Sequence, residues 1–325
     1  MAPRFPPVFT PMLATLGEEP FDSKEHLFEI KWDGVRTLCF CDSDETRLYS
    51  RTGREVTHQY PEFKDLHKKL KVTDAIFDGE IVAMDSNLKP SFELLQQRIN
   101  LSGTSIARGV ANVPLDLVLF DVLFVDGDWL GGRSLVERAS TLPDAVELED
   151  RVVISEAIAE HGLALFEAAR QRGLEGIVAK RSNSIYVPGR RTRDWIKLKV
   201  VQRIDCVIGG WSPGRGSRSS SLGALLLGLN DGTDLRFIGS VGTGFTEKTL
   251  GAVREALAPL EVSHSPFGEK VPVKDAHWVT PDLVCEVEFR EATSQMRLRA
   301  PSFKGLRTDK HPRECTVEQI HREPT

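Results

Sequence analysis

The 325-residue chain is predicted to be an α+β protein of two domains, with packed antiparallel sheets and flanking helices in the first and a small β-barrel in the second. Segments rich in β-branched and aromatic residues recur along the chain, and helical periodicity is confined to a few segments. The composition also changes near residue 202. We therefore expect a first domain over residues 1–202 and a second over residues 203–325.

The first domain is predicted to consist mainly of strands. Its strand-like segments are Phe28–Lys31, Val35–Cys41, Arg47–Ser50, Ala75–Met84, Leu115–Val125, Arg151–Ser155, Gly176–Ala179 and Trp195–Val201. Asp33-Gly34 is a hairpin turn signal, so the first two segments are expected to pair with each other. Apolar residues at helical spacing predict helices over Pro61–Leu70 and Leu163–Arg172.

The second domain is predicted to be a small barrel of the OB type, since about five short strands and one helix occupy roughly 120 residues. A Gly/Ser/Arg loop over residues 213–221 and a turn at Asn230-Asp231-Gly232 separate the first strands. We expect the domain boundary at residues 200–204. The predicted elements are the strands Val207–Trp211, Leu222–Leu229, Leu235–Val241 and Leu283–Glu291, and the helix Glu247–Leu257.

Cysteine usage and hydropathy predict a cytoplasmic protein. The five cysteines form no pair of CxxC motifs, which argues against a structural zinc site, and their odd number fits a reducing compartment. The longest apolar runs are too short to span a bilayer, and the segment MAPRFPPVF has no apolar core of the signal-peptide type.

The charge distribution is compatible with a nucleic-acid partner although the net charge is −5. One segment, from Lys180 to Arg203, carries eight basic residues opposed only by Asp194. Such a run is either a solvated charged face or a surface for phosphates. Composition alone leaves both interpretations open.

Lys31 is the first candidate for chemistry. It ends an apolar strand just before a tight turn, which holds its amine on a rigid support. Alternation along the strand places Glu29 and Lys31 on one face. A lysine is a nucleophile only as the neutral amine, which burial or nearby cations favour. A surface lysine before a turn is the commoner explanation of an isolated Lys-x-Asp-Gly motif.

Further polar residues stand at the ends of strands or inside them. Lys197 and Lys199 share a face of one strand, and a basic group closes the chain between Arg299 and Lys310. Taken singly, each residue is more typical of a core or a solvated strand than of a site. The other candidates are Arg51 within Ser50–Gly53, Glu80 within Phe77–Glu80, Phe120 within Phe120–Leu123, and Glu175 at the start of residues 175–180.

The order of these motifs resembles that of the covalent nucleotidyltransferase superfamily, which comprises ATP-dependent DNA ligases, RNA ligases and mRNA capping enzymes. The resemblance extends from Glu29 to Lys310, nearly the whole chain. Within the superfamily, the chain most resembles the ligase domain of bacterial end-joining ligases of the ligase D group, because Pro11–Ala14 and Phe303–Arg307 also match that group. The resemblance implies a nucleotidyltransferase domain followed by an OB-fold domain.

The resemblance also implies roles for individual residues. Lys31 would attack the α-phosphorus of ATP and form lysyl-AMP. Lys197 and Lys199 would lie at the α-phosphate and favour the neutral amine of Lys31 through like charge. Glu175 would bind a divalent metal, Mg²⁺ or Mn²⁺, as a hard oxygen ligand. The remaining expected contacts are Glu29 with adenine, Phe120 with the adenine face, Glu80 with the ribose and the metal, Arg36 and Arg51 with sugar or phosphates, and Arg307, Asp309 and Lys310 with pyrophosphate.

The implied substrate is nicked or broken double-stranded DNA, bound by a monomer that could act with a Ku-type end-binding protein. Ser302 departs from many related ligases, which have a second arginine there, so triphosphate recognition would depend more on Arg307 and Lys310. Only about 27 residues precede the nucleophile strand, so no additional N-terminal DNA-binding domain is expected. Two alternatives remain: an RNA ligase or GTP-using capping enzyme, and a non-catalytic scaffold for DNA ends. The intact lysines and carboxylates argue against the scaffold.

Overall fold

The computed structural model describes residues 5–99, 101–148, 151–214, 222–290, 292–293 and 295–321. The chain divides into two compact units, Met1–Val200 and Val201–Thr325. Several segments singled out above therefore lie outside the described residues: residues 1–4 of the N-terminal segment, residues 215–221 of the Gly/Ser/Arg loop, and residue 291 at the end of a predicted strand. None of the helices among the described residues has the length and hydropathy needed to cross a membrane.

The first unit contains eleven strands and four α-helices among its described residues. The strands are β1 Leu13–Leu16, β2 Ser23–Ile30, β3 Val35–Cys41, β4 Thr46–Ser50, β5 Ala75–Ala83, β6 Leu115–Val125, β7 Asp128–Trp129, β8 Val152–Ile154, β9 Ala157–Glu160, β10 Gly176–Arg181 and β11 Arg191–Lys199. The helices are α1 Phe92–Ile99, α2 Ser105–Asn112, α3 Leu135–Ala145 and α4 Gly162–Gln171.

These strands form two sheets. The first sheet has the order β1-β11-β10-β2-β9, and the second has the order β4-β3-β5-β6-β7, with β8 beside β6. All pairings are antiparallel except β1 with β11 and β6 with β8. Strands β5 and β6 are buried along almost their whole length, which explains why their sequences are nearly continuous apolar runs.

The predicted hairpin at Asp33-Gly34 is wrong. Strand β2 pairs with β9 and β10, whereas β3 pairs with β4 and β5, so residues 31–34 carry the chain from one sheet to the other. A Cβ on Gly34 would collide with the carbonyl oxygen of Ile81. This glycine therefore allows close backbone approach to β5, which is a different use of the dipeptide from the hairpin turn that its sequence suggests.

The predicted helix over Pro61–Leu70 is also wrong, since that segment forms two 3₁₀ turns, Pro61–Phe63 and Leu66–Lys69. Phe63 and Leu66 are both buried. They are three residues apart, which is also a helical spacing, so the apolar pattern alone does not distinguish two short turns from one helix. Helices α1, α2 and α3 were not predicted, although a capping box at Ser134 and Glu137 marks the start of α3.

The second unit has six strands and two helices among its described residues. The elements are β12 Gln202–Pro213, β13 Leu222–Asp231, β14 Asp234–Val241, α5 Glu247–Leu257, β15 Glu261–Val262, β16 His277–Phe289, β17 Ser302–Leu306 and α6 Glu318–His321. The strand order is β14-β13-β12-β16-β15, with β17 beside β16. Strands β12 and β16 have 12 and 13 residues and are longer than predicted. A bulge between Ile208 and Gly210 lets β12 continue past the end predicted for it.

Candidate active site

A cavity of about 200 Å³ lies in the first unit and is lined by residues from both sheets. The first sheet contributes Leu13, Ala14, Glu29, Ile30, Val178, Lys180, Arg191, Trp195 and Lys197; the second contributes Arg36, Glu80 and Phe120; and Lys31, Trp32 and Arg51 lie on connecting segments.

Lys31 lies at the point where the chain leaves the first sheet. Its backbone N–H donates to the carbonyl oxygen of Gly176 at 2.9 Å, which fixes the residue against β10. Its Nζ contacts Oε2 of Glu175, and Nζ of Lys199 lies 3.4 Å from Oε1 of the same carboxylate. Glu175 therefore bridges the two lysines and opposes the like-charge effect expected between them.

Gly176 makes this arrangement possible. Its φ is +139°, and a Cβ at this position would collide with the carbonyl oxygen of Leu198 on β11. Only glycine combines this backbone conformation with so close an approach between strands. Glu175 and the hydrogen bond to Lys31 are therefore held by a backbone that other residues cannot adopt without strain.

Lys197 lies opposite Val178 in the sheet and lines the cavity. Burial lowers the pKa of Lys197, and the positive charges of Lys199, Arg191 and Lys31 lower it further. A cation that is partly desolvated and surrounded by other cations gains most from an anion placed beside it. This part of the cavity is therefore suited to a phosphate group.

A buried ion pair, Glu29 with Lys180, lies in the same cavity. Lys180 Nζ lies 2.7 Å from Oε1 of Glu29, and both side chains are almost fully buried. The same Nζ lies 4.5 Å from the centre of the Phe120 ring and 4.6 Å from that of Trp195. Burial raises the pKa of Glu29, whereas the charge of Lys180 opposes that shift. The pair combines a hydrogen-bond acceptor, a donor and aromatic surface in one place.

Arg36 is held by a second buried carboxylate. Its Nη2 donates to Oδ2 of Asp78 at 2.6 Å, and the Tyr186 hydroxyl donates to the same oxygen at 2.6 Å. The guanidinium carbon lies 4.7 Å from the centre of the Phe120 ring. Asp78 has no solvent exposure, so these donors are what make its charge tolerable inside the sheet. Arg36 is thus fixed in position at the cavity wall.

Glu80 projects into the cavity from β5. Burial raises its pKa from 4.5 to about 7, against the opposing charges of Arg36 and Lys31, while Asp78 and Glu175 add to the increase. A carboxyl group in this state can change its charge near neutral pH when a cation or a hydrogen-bond donor arrives.

The structure brings most of the predicted site residues together. Seven line the one cavity, and Glu175 and Lys199 are linked to Lys31, whereas Arg307 and Lys310 belong to the second unit. The sequence analysis gave no role in the site to five residues that the structure places there: Lys180, Asp78, Tyr186, Trp195 and Arg191. A signal for Asp78 was available, because a charged residue inside an apolar strand such as β5 requires a buried partner.

No group of three or more histidine, cysteine or carboxylate side chains in the described parts of the chain could hold a metal ion by itself. Glu80 and Glu175 do influence each other electrostatically. Mg²⁺ is commonly held by one or two protein carboxylates and completed by substrate phosphates and water. Glu80 and Glu175, close to the cations Lys31 and Lys199, fit that kind of site.

Comparison with known proteins agrees with this geometry. Residues 11–199 match the family described as the ATP dependent DNA ligase domain, and residues 218–310 match its C terminal region. The chain belongs to the ATP-dependent DNA ligases. The predicted fold class, a nucleotidyltransferase domain followed by an OB-fold domain, and the predicted enzyme class are thereby confirmed.

Individual ligases give the same result. The chain is 40% identical to the multifunctional non-homologous end joining protein LigD of Mycolicibacterium smegmatis over 317 residues, which are 96% of this chain and 40% of that protein. A mycobacterial DNA ligase D structure complexed with ATP matches with 36% identity and a TM-score of 0.54, covering 95% of this chain and 98% of that one. The ligase domain of Mycobacterium tuberculosis LigD matches with 37% identity, a TM-score of 0.53 and the same coverage. The chain therefore spans about 40% of the length of the first of these relatives.

Proposed function

We propose that this ligase seals breaks between a 5′-phosphate and a 3′-hydroxyl in double-stranded DNA, with AMP carried on Lys31, in repair by end joining. The observation that carries the proposal is the placement of Lys31 in a cationic cavity, fixed by Gly176 and in contact with Glu175. Family membership supports DNA as the substrate and ATP as the source of AMP.

In the first step, the amine of Lys31 forms a bond to the α-phosphorus of ATP, the bond to the bridging oxygen breaks, and pyrophosphate leaves. This reaction depends on in-line positioning and on neutralising the phosphate oxygens. Lys197 and Lys199 supply that positive charge. An oxygen of the 5′-phosphate of the DNA then forms a bond to the phosphorus of AMP, and the bond between that phosphorus and Lys31 breaks. Attack by the 3′-hydroxyl on the 5′-phosphate releases AMP and closes the strand.

The rest of the cavity holds the nucleoside of ATP. Glu29 accepts a hydrogen bond from the exocyclic amine of adenine, with Lys180 holding its carboxylate in place at 2.7 Å. Phe120 packs on the base, and Glu80 contacts the ribose. Arg36 and Arg51, which both line the cavity, contact sugar or phosphate groups.

Glu175 and Glu80 would hold Mg²⁺ or Mn²⁺ together with the phosphates of ATP. When bound, the metal supplies positive charge to the phosphate oxygens. Occupation of that site would also loosen the contact between Glu175 and Lys31, because one carboxylate would then serve two cations.

The second unit supplies further parts of the proposed reaction. We propose that residues 203–325 act as the OB-fold domain, contact the DNA backbone, and present Arg307, Asp309 and Lys310 to the pyrophosphate of ATP. Residues 1–202 then form the adenylation domain. In this proposal the enzyme works as a monomer in the cytoplasm and acts with a Ku-type protein at broken ends.

An RNA ligase or a GTP-using capping enzyme is the alternative with the same chemistry. Both family matches and the LigD relatives favour DNA and ATP over that alternative. A non-catalytic scaffold is disfavoured because Lys31, Glu175 and Lys199 are intact and in contact.

Incubation with pyrophosphate, repurification, and then exposure to α-labelled ATP and Mg²⁺ tests the nucleophile. We expect an acid-labile label on the protein, no label on Lys31→Ala, and normal labelling of Lys68→Ala, whose lysine pairs with Asp65 on the surface. Labelling of the Lys31→Ala variant would refute the assignment. Sealing of a nicked DNA duplex but not of a nicked RNA duplex is the expected substrate preference.

A further inference from the structure

A cluster of charged side chains surrounds Arg307 and Lys310 in the second unit. Arg307 Nε and Nη2 donate to the two carboxylate oxygens of Asp309 at 2.9 and 2.8 Å. Its remaining nitrogen, Nη1, donates to Oδ1 of Asp205 at 3.1 Å. Lys310 Nζ lies 3.9 Å from the other oxygen of Asp205 and 3.9 Å from Glu314. Asp205 is thus the one carboxylate in this cluster, among the described residues, that contacts both cations.

Asp205 is the least exposed of the carboxylates that contact Arg307 or Lys310, which include Glu286 at 3.9 Å from Arg307 Nη1. It lies within β12, where it is paired with Glu286 on β16, and its side chain is 16% exposed compared with 66% for that of Asp309. The backbone of Arg307 is also anchored to β16, because its N–H donates to the carbonyl oxygen of Val284 at 2.8 Å. The carboxylate of Asp205 and the backbone of Arg307 are therefore both held by the sheet.

This arrangement has two physical consequences. Arg307 and Lys310 repel each other, and a carboxylate between them offsets that repulsion. Ordering an arginine or a lysine side chain costs conformational entropy, and less of this cost remains to be met on binding if the side chain is already held.

We propose that Asp205 is a positioning residue for adenylation, which holds Arg307 and Lys310 side by side so that both can meet the pyrophosphate portion of ATP. The inference rests on the proposed function, in which these two cations contact the leaving group. Asp309 is exposed and lies in a turn outside the strands, so a phosphate that reaches Arg307 can take its place, whereas Asp205 on β12 stays as the fixed partner.

The test separates the first chemical step from the last. In single turnover with α-labelled ATP, we expect Asp205→Ala to slow labelling of Lys31 about tenfold, with most of the effect in the apparent affinity for ATP. Sealing of a nicked duplex that already carries 5′-adenylate should stay within twofold of the parent enzyme, since no pyrophosphate is involved. Asp205→Glu should recover at least part of the labelling rate.

Asp231→Ala is the matched control. Asp231 pairs with Arg236 at 3.2 Å on the same unit, but neither residue contacts the cluster around Arg307. We expect this variant to label Lys31 and to seal the adenylated nick at the rates of the parent enzyme. In the Arg307→Ala background, Asp205→Ala should slow the labelling of Lys31 by a smaller factor than it does in the parent enzyme, because the two residues act on one interaction.

Three results would overturn the positioning role: an unchanged labelling rate in Asp205→Ala, a faster rate, or an equal loss in labelling and in sealing of the adenylated nick. The last would mark a merely structural residue. A failure of the proposed function itself is recognisable separately, because the parent enzyme would then not be labelled at all.

Discussion

Lys180 Nζ lies 2.7 Å from Oε1 of Glu29, in a place where both side chains are shielded from water. Neither charge would be tolerated there without the other, because burial of an unpaired ion is costly. The pair also lies beside Phe120 and Trp195, so it gives the cavity a polar end of defined geometry.

Lys180→Met is expected to destabilise the fold by about 3–5 kcal/mol, since it leaves the carboxylate of Glu29 buried without a partner. The double variant Glu29→Gln/Lys180→Met should recover part of that loss. Urea denaturation measures both. Arg181→Met is the control on the same strand, because its ion pair with Glu25 is solvent-exposed, and it should cost less than about 1 kcal/mol. An equal loss in the free energy of unfolding for Lys180→Met and Arg181→Met would contradict the interpretation of a buried ion pair.

Glu80 should make stability depend on pH between about 4.5 and 7. Its pKa is raised from 4.5 to about 7, so the folded protein retains a proton that the unfolded chain releases in this range. Its contribution is fully present below pH 4.5 and is lost as the pH rises through 7. The loss is at most about 3 kcal/mol, and partial exposure to the cavity reduces it.

The measurement is the free energy of unfolding at pH 5 and pH 8 for the parent protein and for Glu80→Gln. The variant should show a smaller decrease between the two values. Glu93→Gln, at an exposed position in α1, should behave as the parent protein does. An identical pH profile for Glu80→Gln would show that another group is responsible.

Two glycines should respond to alanine in opposite directions. Gly176→Ala forces a φ of +139° on a residue with a Cβ and brings that atom against the backbone of β11, so it should destabilise by more than about 1 kcal/mol. It should also slow labelling of Lys31, whose N–H bonds to Gly176. Gly251→Ala, within α5 and with open space around it, should stabilise by about 0.5–1 kcal/mol. Thermal and urea denaturation measure both changes. A more stable Gly176→Ala variant or a less stable Gly251→Ala variant would contradict the prediction.

Lys197→Met should separate activity from stability. Removing this cation from the phosphate region should slow lysyl-AMP formation on the order of 100-fold. The fold should be unaffected or slightly stabilised, because burial and three neighbouring cations already disfavour the charge and lower the pKa of Lys197. Single-turnover labelling measures the rate of lysyl-AMP formation, and the melting temperature measures the stability of the fold. A slow variant that also melts at lower temperature would indicate structural damage instead.

Much of the site could be predicted because its residues stand in local patterns. Lys31 ends a strand, Lys197 and Lys199 alternate on another, and Glu175 begins a third, so each could be identified by its place in a motif. Strand β6 was predicted with the bounds that it has, since nine of its eleven residues are apolar and it contains neither glycine nor proline. Helix α4 was placed to within one residue for the same kind of reason.

Other features depend on contacts between distant segments. Arg36 and Asp78 lie 42 residues apart, Asp78 and Tyr186 lie 108 apart, and no local pattern links them. The 3₁₀ turns after Pro61 use the same apolar spacing as a helix, so the pattern alone could not distinguish the two. Lys180 was visible as a charged residue at a strand end, but only pairing of β10 with β2 brings it to Glu29.

The sequence by itself determined the family, the nucleophile candidate and the set of charged residues, because these follow from residue types at fixed spacing. The tertiary structure decided which of them meet. It showed that Asp33-Gly34 connects two sheets, that Glu175 lies between Lys31 and Lys199, and that Asp205 contacts Arg307. Pairing of strands far apart in the chain is set by burial and by the need of each buried charge for a partner, and neither is encoded in a short motif.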